Sequence, residues 1–97
     1  VNPADPTVWH APRYTEFAFR HWQGATFVFD PASGRTHYLN DAAAEILDRL
    51  AEAPCSAGAL LESMLTDHPS DEPEAFGEAT QRVITLLDQL GLIREVA

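Results

Sequence analysis

A chain of 97 residues that is 45% hydrophobic can fill one compact core and no second one. Its formal net charge of −9 comes with six arginines and no lysine, so it lacks the cations that neutralise phosphates, and neither nucleic acid nor an acidic membrane surface is an expected partner. The lone Cys55 excludes an internal disulfide, and no apolar run approaches the roughly 18 residues of a membrane span.

The charge is unevenly placed. Up to residue 40, Asp5, Glu16 and Asp30 balance Arg13, Arg20 and Arg35, whereas later residues hold 12 of the 15 acids and only three arginines. The first residues have neither the basic start nor the apolar centre of a signal peptide, and a reducing, cytoplasmic setting is expected.

In chain order, residues 1–13 contain Pro3, Pro6 and Pro12, which remove backbone donors and argue against regular structure, with Trp9 as an anchor for this arm. A single domain over residues 14–97 follows. From Tyr14 to Arg20 the pattern alternates, Phe17 and Phe19 on one side and Glu16, Ala18 and Arg20 on the other, which predicts a half-buried strand. Gln23-Gly24 offers a hairpin turn, and Ala25, Phe27 and Phe29 resume period two, with Phe27 and Phe29 expected to serve the core.

Asp30-Pro31-Ala32-Ser33-Gly34 is a second turn: Pro31 presets φ, Asp30 bonds the backbone ahead, and Gly34 takes the left-handed conformation. The third strand, Arg35 to Leu39, puts His37 and Leu39 on one face and Thr36 and Tyr38 on the other. A meander leaves that strand at a sheet edge.

Asn40 or Asp41 caps a first helix with an apolar stripe of Ala43, Ile46, Leu47 and Leu50, and Pro54 ends it. Ser56 caps a short second helix that buries Leu60, Leu61, Met64 and Leu65. A third helix opens on the capping-box spacing of Asp71 and Glu74, with Pro73 in its first turn. Phe76, Ala79, Val83, Leu86, Leu87 and Leu90 form its apolar stripe. Gly91 stops it, Leu92 folds back on Leu87, and an extended tail closes the chain. The predicted class is α+β, a three-stranded antiparallel sheet followed by three helices, of the winged helix-turn-helix type.

Catalytic and metal chemistry find little purchase. His10, His21, His37 and His68 are not paired at ligand spacing, so no metal site and no cofactor is expected. Cys55 opens a helix, where the dipole would activate it, but an ordinary half-buried thiol is the expected state. The carboxylates of Asp41, Glu45, Asp48 and Glu52, and of Glu72, Glu74 and Glu78, read as solvated helix faces. No catalytic residue is assigned. A winged-helix regulator contacting DNA or protein is one alternative, against which Glu72, Glu74, Glu78 and Asp88 would repel phosphates beside Arg82. A structural subunit pairing two strand edges into a homodimer is another.

An open edge strand running into a helix suits capture of an extended peptide by strand addition. The stretch FVFDPASGRTHYLNDAAAEILDRL, with LLESML and VITLLDQLGLI after it, resembles the PqqD-like peptide chaperones, also called RiPP recognition elements. The preceding FRHWQG resembles the subgroup of the HPr-rel-A systems. The resemblance runs from about Phe17 to Val96.

It implies a non-enzymatic adaptor that binds a leader or precursor peptide and presents it to a modifying enzyme, in that subgroup a kinase related to HPr kinase. It also implies where the peptide lies: antiparallel to the third strand at Arg35, Thr36, His37, Tyr38 and Leu39, and against the third helix at Thr80, Val83, Ile84 and Leu87. Homodimers occur in the family and are compatible with this role.

Overall fold

The computed structural model describes residues 5–96. Two small antiparallel sheets and three helices enclose one core. Strand β1 (Val8–His10) lies between β5 (Cys55–Ser56) and β6 (Arg94–Glu95), while β2 (Ala18–Trp22), β3 (Ala25–Asp30) and β4 (Arg35–Leu39) form the meander. Helices α1 (Asp41–Glu52), α2 (Ala57–Asp67) and α3 (Pro73–Gln89) follow, α1 lying against β3, β4 and α3, and α2 against α3. The core is built from Val28, Leu39, Leu47, Leu50, Leu60, Ile84, Leu87 and Leu92 among others.

The arm departs from expectation. Between Pro6 and Pro12 the chain forms β1, because Val8, Trp9 and His10 keep the donors that the prolines lack and find partners on both sides: Val8 opposite Ser56, Trp9 opposite Cys55 and Glu95, His10 opposite Arg94. The Val96 amide donates to the Val8 carbonyl at 2.8 Å, so the extended tail is tied to the arm. Pro3 lies outside the described residues.

Past Pro12 the chain does not yet extend. Tyr14–Glu16 is a turn of 3₁₀ helix, with the Tyr14 amide donating to the Ala11 carbonyl, and the strand begins only at Ala18. The Tyr14 hydroxyl donates to Asp48 on α1. Its own burial and then that bond push its pKa up to about 12.

The turn at Gln23-Gly24 forms as predicted, both residues at positive φ (51° and 77°), with Trp22 opposite Ala25. Its register corrects the reading of β3. Partners across a ladder share a face, and Phe19 stands opposite Val28, so the inward set of β3 is Thr26, Val28 and Asp30. Val28 is 0% exposed and Phe29 40%. The aromatic residues of β3 therefore face out, contrary to the expectation that Phe27 and Phe29 serve the core. Buried Thr26 is satisfied by His21 Nδ1 at 2.9 Å.

Asp30 does more than start a turn. The residue is 2% exposed, and its carboxylate accepts the Ala32 amide at 3.0 Å and is gripped by both terminal nitrogens of Arg13 at 2.9 and 2.7 Å. Arg13 also lies over the Phe17 ring at 5.3 Å and reaches the Gly91 carbonyl. One side chain thus joins the arm, the second turn and the end of α3. The hydrogen bonds from Arg13 hold the Asp30 carboxyl below its ordinary range, and burial opposes them.

The helices follow the sequence closely. Asn40 caps α1 by accepting from the Ala43 amide, Ser56 caps α2 by accepting from the Ala59 amide, and the α1 stripe is buried as expected. In α2 only Leu60 and Met64 are fully buried, with Leu61 and Leu65 half-buried. The capping box of α3 does not form: Pro73 opens the helix, but Glu72 takes the cap position without a side-chain bond. At the other end, Leu92 donates to the Leu87 carbonyl and Gly91 to that of Asp88, both at 3.0 Å with Gly91 at φ 76°, which is the predicted Schellman closure.

Two measurements check these assignments. Val28→Thr, which buries a hydroxyl without a partner, should cost about 1–3 kcal/mol, and Phe29→Thr under about 1 kcal/mol, in urea melts; the reverse order would place Phe29 in the core. The depressed carboxyl of Asp30 contributes stability that is complete above the unfolded value near 4 and is lost as pH falls through the lower folded value. Arg13→Ala should therefore destabilise strongly at pH 7, and the gap to the parent protein should narrow at pH 3.

Candidate strand-addition site

The meander has two ends, and β4 is one of them: it pairs with β3 and, among the described residues, with nothing else. Which backbone groups it leaves open follows from the first hairpin. A two-residue loop with both residues at positive φ makes its flanking pair, Trp22 and Ala25, a hydrogen-bonded pair. Alternation then turns the amides of Ala25, Phe27 and Phe29 toward β2 and those of Thr26, Val28 and Asp30 toward β4.

Opposite these last three stand Leu39, His37 and Arg35: the backbone groups of Leu39 and His37 turn to β3, and the Arg35 amide donates to the Ser33 hydroxyl at 3.2 Å. Thr36 and Tyr38 are left with N–H and C=O pointing off the edge.

The same alternation sorts the side chains. Leu39 is buried and His37 half-buried on the inner face, while Thr36 and Tyr38 are exposed on the outer face, as predicted; Arg35, though on the inner side, is exposed at the strand start. His37 Nε2 is buried without a hydrogen-bond partner. Asn40 ends the strand by capping α1, so the open edge is five residues long.

On α3 the predicted stripe is displaced from the core row, sharing only Leu87 with it. Thr80, Ile84 and Leu87 point into the core and are buried. Phe76, Ala79, Val83, Leu86 and Leu90, at spacings of three and four, form an adjacent apolar row that the core takes up only in part: Phe76, Val83 and Leu90 are half-buried against it, Ala79 is exposed, and Leu86 is 43% exposed. Of the four helix residues named from sequence, Val83 alone presents surface in this conformation.

The row was present in the sequence, but a single broad stripe could not be apportioned between core and surface without the position of α2. Gly77 shows where α2 sits, because a Cβ there would meet Leu61 at 3.1 Å. The apolar row runs along the opposite flank.

The rest of the surface offers little chemistry. No group of three or more His, Cys, Asp or Glu residues that could hold a metal ion occurs among the described residues. Cys55 is half-buried in β5, and burial pushes its thiol up rather than activating it. Glu45 joins Arg49 and His68, and Arg49 also bonds Asp67, so the acidic face of α1 is partly a solvent-exposed ion-pair network. Glu74, Glu78 and Asp88 are exposed on α3, as is Glu72 at its cap position. No helix among the described residues is long and apolar enough to cross a membrane.

Fold and edge together define a small α+β domain with a three-stranded antiparallel sheet, three helices and an open strand. Residues 25–93 match the family model described as Coenzyme PQQ synthesis protein D (PqqD). The match takes in β3, β4, all three helices and the chain to Ile93, and this chain belongs to the PqqD family. No curated protein and no solved structure matches it.

The edge assignment has a direct readout. In exchange measurements by NMR, the amides of Thr36 and Tyr38 should exchange at least tenfold faster than that of His37. A protected Thr36 would mean that the edge is covered or that the ladder has the other phase.

Proposed function

We propose that the protein is a non-catalytic peptide-binding adaptor: it captures a leader or precursor peptide as a fourth strand beside β4 and presents it to a modifying enzyme. The observation that carries this reading is the open edge of β4 in a chain of the PqqD family. Strand addition draws affinity from the main chain and specificity from alternate side-chain positions. Thr36 and Tyr38 supply the main-chain bonds, and the alternate positions of the peptide fall beside Arg35, His37 and Leu39 on the inner side.

For the helix wall we propose Val83, joined by Phe76, Ala79, Leu86 and Leu90, with Thr80, Ile84 and Leu87 behind them holding the helix in place. An apolar row at the margin of the core, half-buried at Phe76, Val83 and Leu90 and exposed at Ala79 and Leu86, suits a groove wall. In this reading the domain is winged helix-turn-helix-like, the meander acting as the wing. The FRHWQG stretch ties the proposal to the HPr-rel-A subgroup and makes a kinase related to HPr kinase the first enzyme to try as the partner.

Peptides encoded beside the gene, titrated into isotope-labelled protein, should shift the amides of Thr36 and Tyr38 before those of β2. Thr36→Pro deletes an outward donor and should weaken binding at least tenfold, whereas the inward His37 amide makes a proline there a test of folding. Binding that leaves residues 35 to 39 unmoved would rule out strand addition.

A further inference from the structure

The outer face of the meander is not accounted for by the edge. Cross-strand registers place Ala18, Arg20 and Trp22 of β2, Ala25, Phe27 and Phe29 of β3, and Thr36 and Tyr38 of β4 on this one side. Trp22 is 68% exposed and Tyr38 62%, and Phe27 packs edge-on against Tyr38 with ring centres 5.8 Å apart. A contiguous aromatic surface on a small domain marks a docking site.

Its charge is as informative as its hydrophobicity. The chain has 15 carboxylate side chains, and none is among the strand residues of this face. Its single charge is Arg20, which makes no ion pair among the described residues. It stands in one row with Phe27 and Tyr38. The complementary surface is apolar and carries a carboxylate.

Size and charge select the occupant. Three strands about 4.8 Å apart and some 17 Å long give a footprint of roughly 240 Å², and even doubled for side-chain relief this stays well below the ~800 Å² per partner of a stable interface between folded proteins. A second copy is disfavoured further because each chain carries −9. Stacking of nucleic-acid bases on the aromatics meets the same repulsion from phosphates.

We infer that this face docks a short acidic and apolar segment of the modifying enzyme. The assignment of source rests on the adaptor reading: an added strand beside β4 leaves the face of β2 and β3 open, so peptide and enzyme segment can be held at once. Arg20 meets the carboxylate, and Trp22, Phe29 and Tyr38 meet the apolar side chains. The peptide edge and the docking face then share only β4.

The test is selection of a displayed library of random 16-residue peptides against the immobilised protein, with the Thr36→Pro variant used in parallel so that the edge is closed. The expected winners carry Asp or Glu between apolar or aromatic residues, survive on Thr36→Pro, and lose at least tenfold in affinity to Arg20→Glu and to Trp22→Ser. Lysine in place of the peptide's acids should restore binding to Arg20→Glu. Both substituted residues are exposed, so circular dichroism should show an unchanged fold.

Basic winners, or winners indifferent to Arg20→Glu and Trp22→Ser, would overturn the docking face while leaving the edge intact. Tighter binding of a single-stranded oligonucleotide than of any peptide would overturn it in favour of nucleic acid. A dimer in sedimentation that Trp22→Ser abolishes would overturn it in favour of a second copy. Because Thr36 itself stands on this face, winners abolished by Thr36→Pro yet untouched by Arg20→Glu and Trp22→Ser would show that the face has no role apart from the edge.

Discussion

The two-residue turn at Gln23-Gly24 sets the phase of everything that follows it. With Gln23 and Gly24 both at positive φ, the turn admits no slack: Trp22 must face Ala25, and each later residue of β3 inherits its side of the sheet from that pair. A shift by one residue would turn Phe27 and Phe29 inward and expose Val28. The same phase passes through β3 to β4 and decides that Thr36 and Tyr38, not His37, turn their backbone groups off the sheet edge. Gln23 accepts a left-handed conformation that is uncommon outside glycine, a local strain the closed ladder repays.

A second constraint joins the parts that the meander does not reach. Arg13 holds the buried Asp30 with two hydrogen bonds and reaches the Gly91 carbonyl just past α3, while β1 pairs on one side with β5, which leads into α2, and on the other with β6. A carboxylate buried without its arginine is costly, so the arm is bound into the fold by the penalty of losing it more than by the net gain of the pair. The turn that opens β4 is anchored through the same residue. Asp30 thereby couples the N-terminal arm to the position of the proposed peptide edge.

Much of this was legible in the sequence because the signals were local. The Asn40 and Ser56 caps, the stop at Gly91, the turn at Asp30 to Gly34 and the alternation within Arg35 to Leu39 each depend on a few neighbouring residues, and each formed. What was not legible depended on distant partners. β1 exists only because β5 and β6 flank it, and Asp30 is buried only because Arg13 arrives from 17 residues away.

The inversion of β3 has the same cause. Phe27 and Phe29 outrank Thr26 and Asp30 on any hydrophobic scale, but register with Phe19 decided the face. At the candidate site, β4 could be placed from sequence as an edge, whereas dividing the α3 residues between core and surface required α2 beside Gly77.

An open strand is also a hazard, since it can pair with any other edge, and the features that make β4 usable restrain it. It is five residues long, which limits the bonds an unselected partner can make, and two positions alone face outward. The net charge of −9 keeps copies apart. At one end the Asp30 to Gly34 turn reverses the chain, and at the other Asn40 turns its side chain to the Ala43 amide, so the strand cannot lengthen into α1 without giving up the cap. The edge is thus fixed at a span of about 17 Å, enough for a short extended segment. In the proposed role, selectivity rests on what borders the strand rather than on the strand itself: the half-buried His37 on its inner side and the aromatic face around Tyr38 on its outer side.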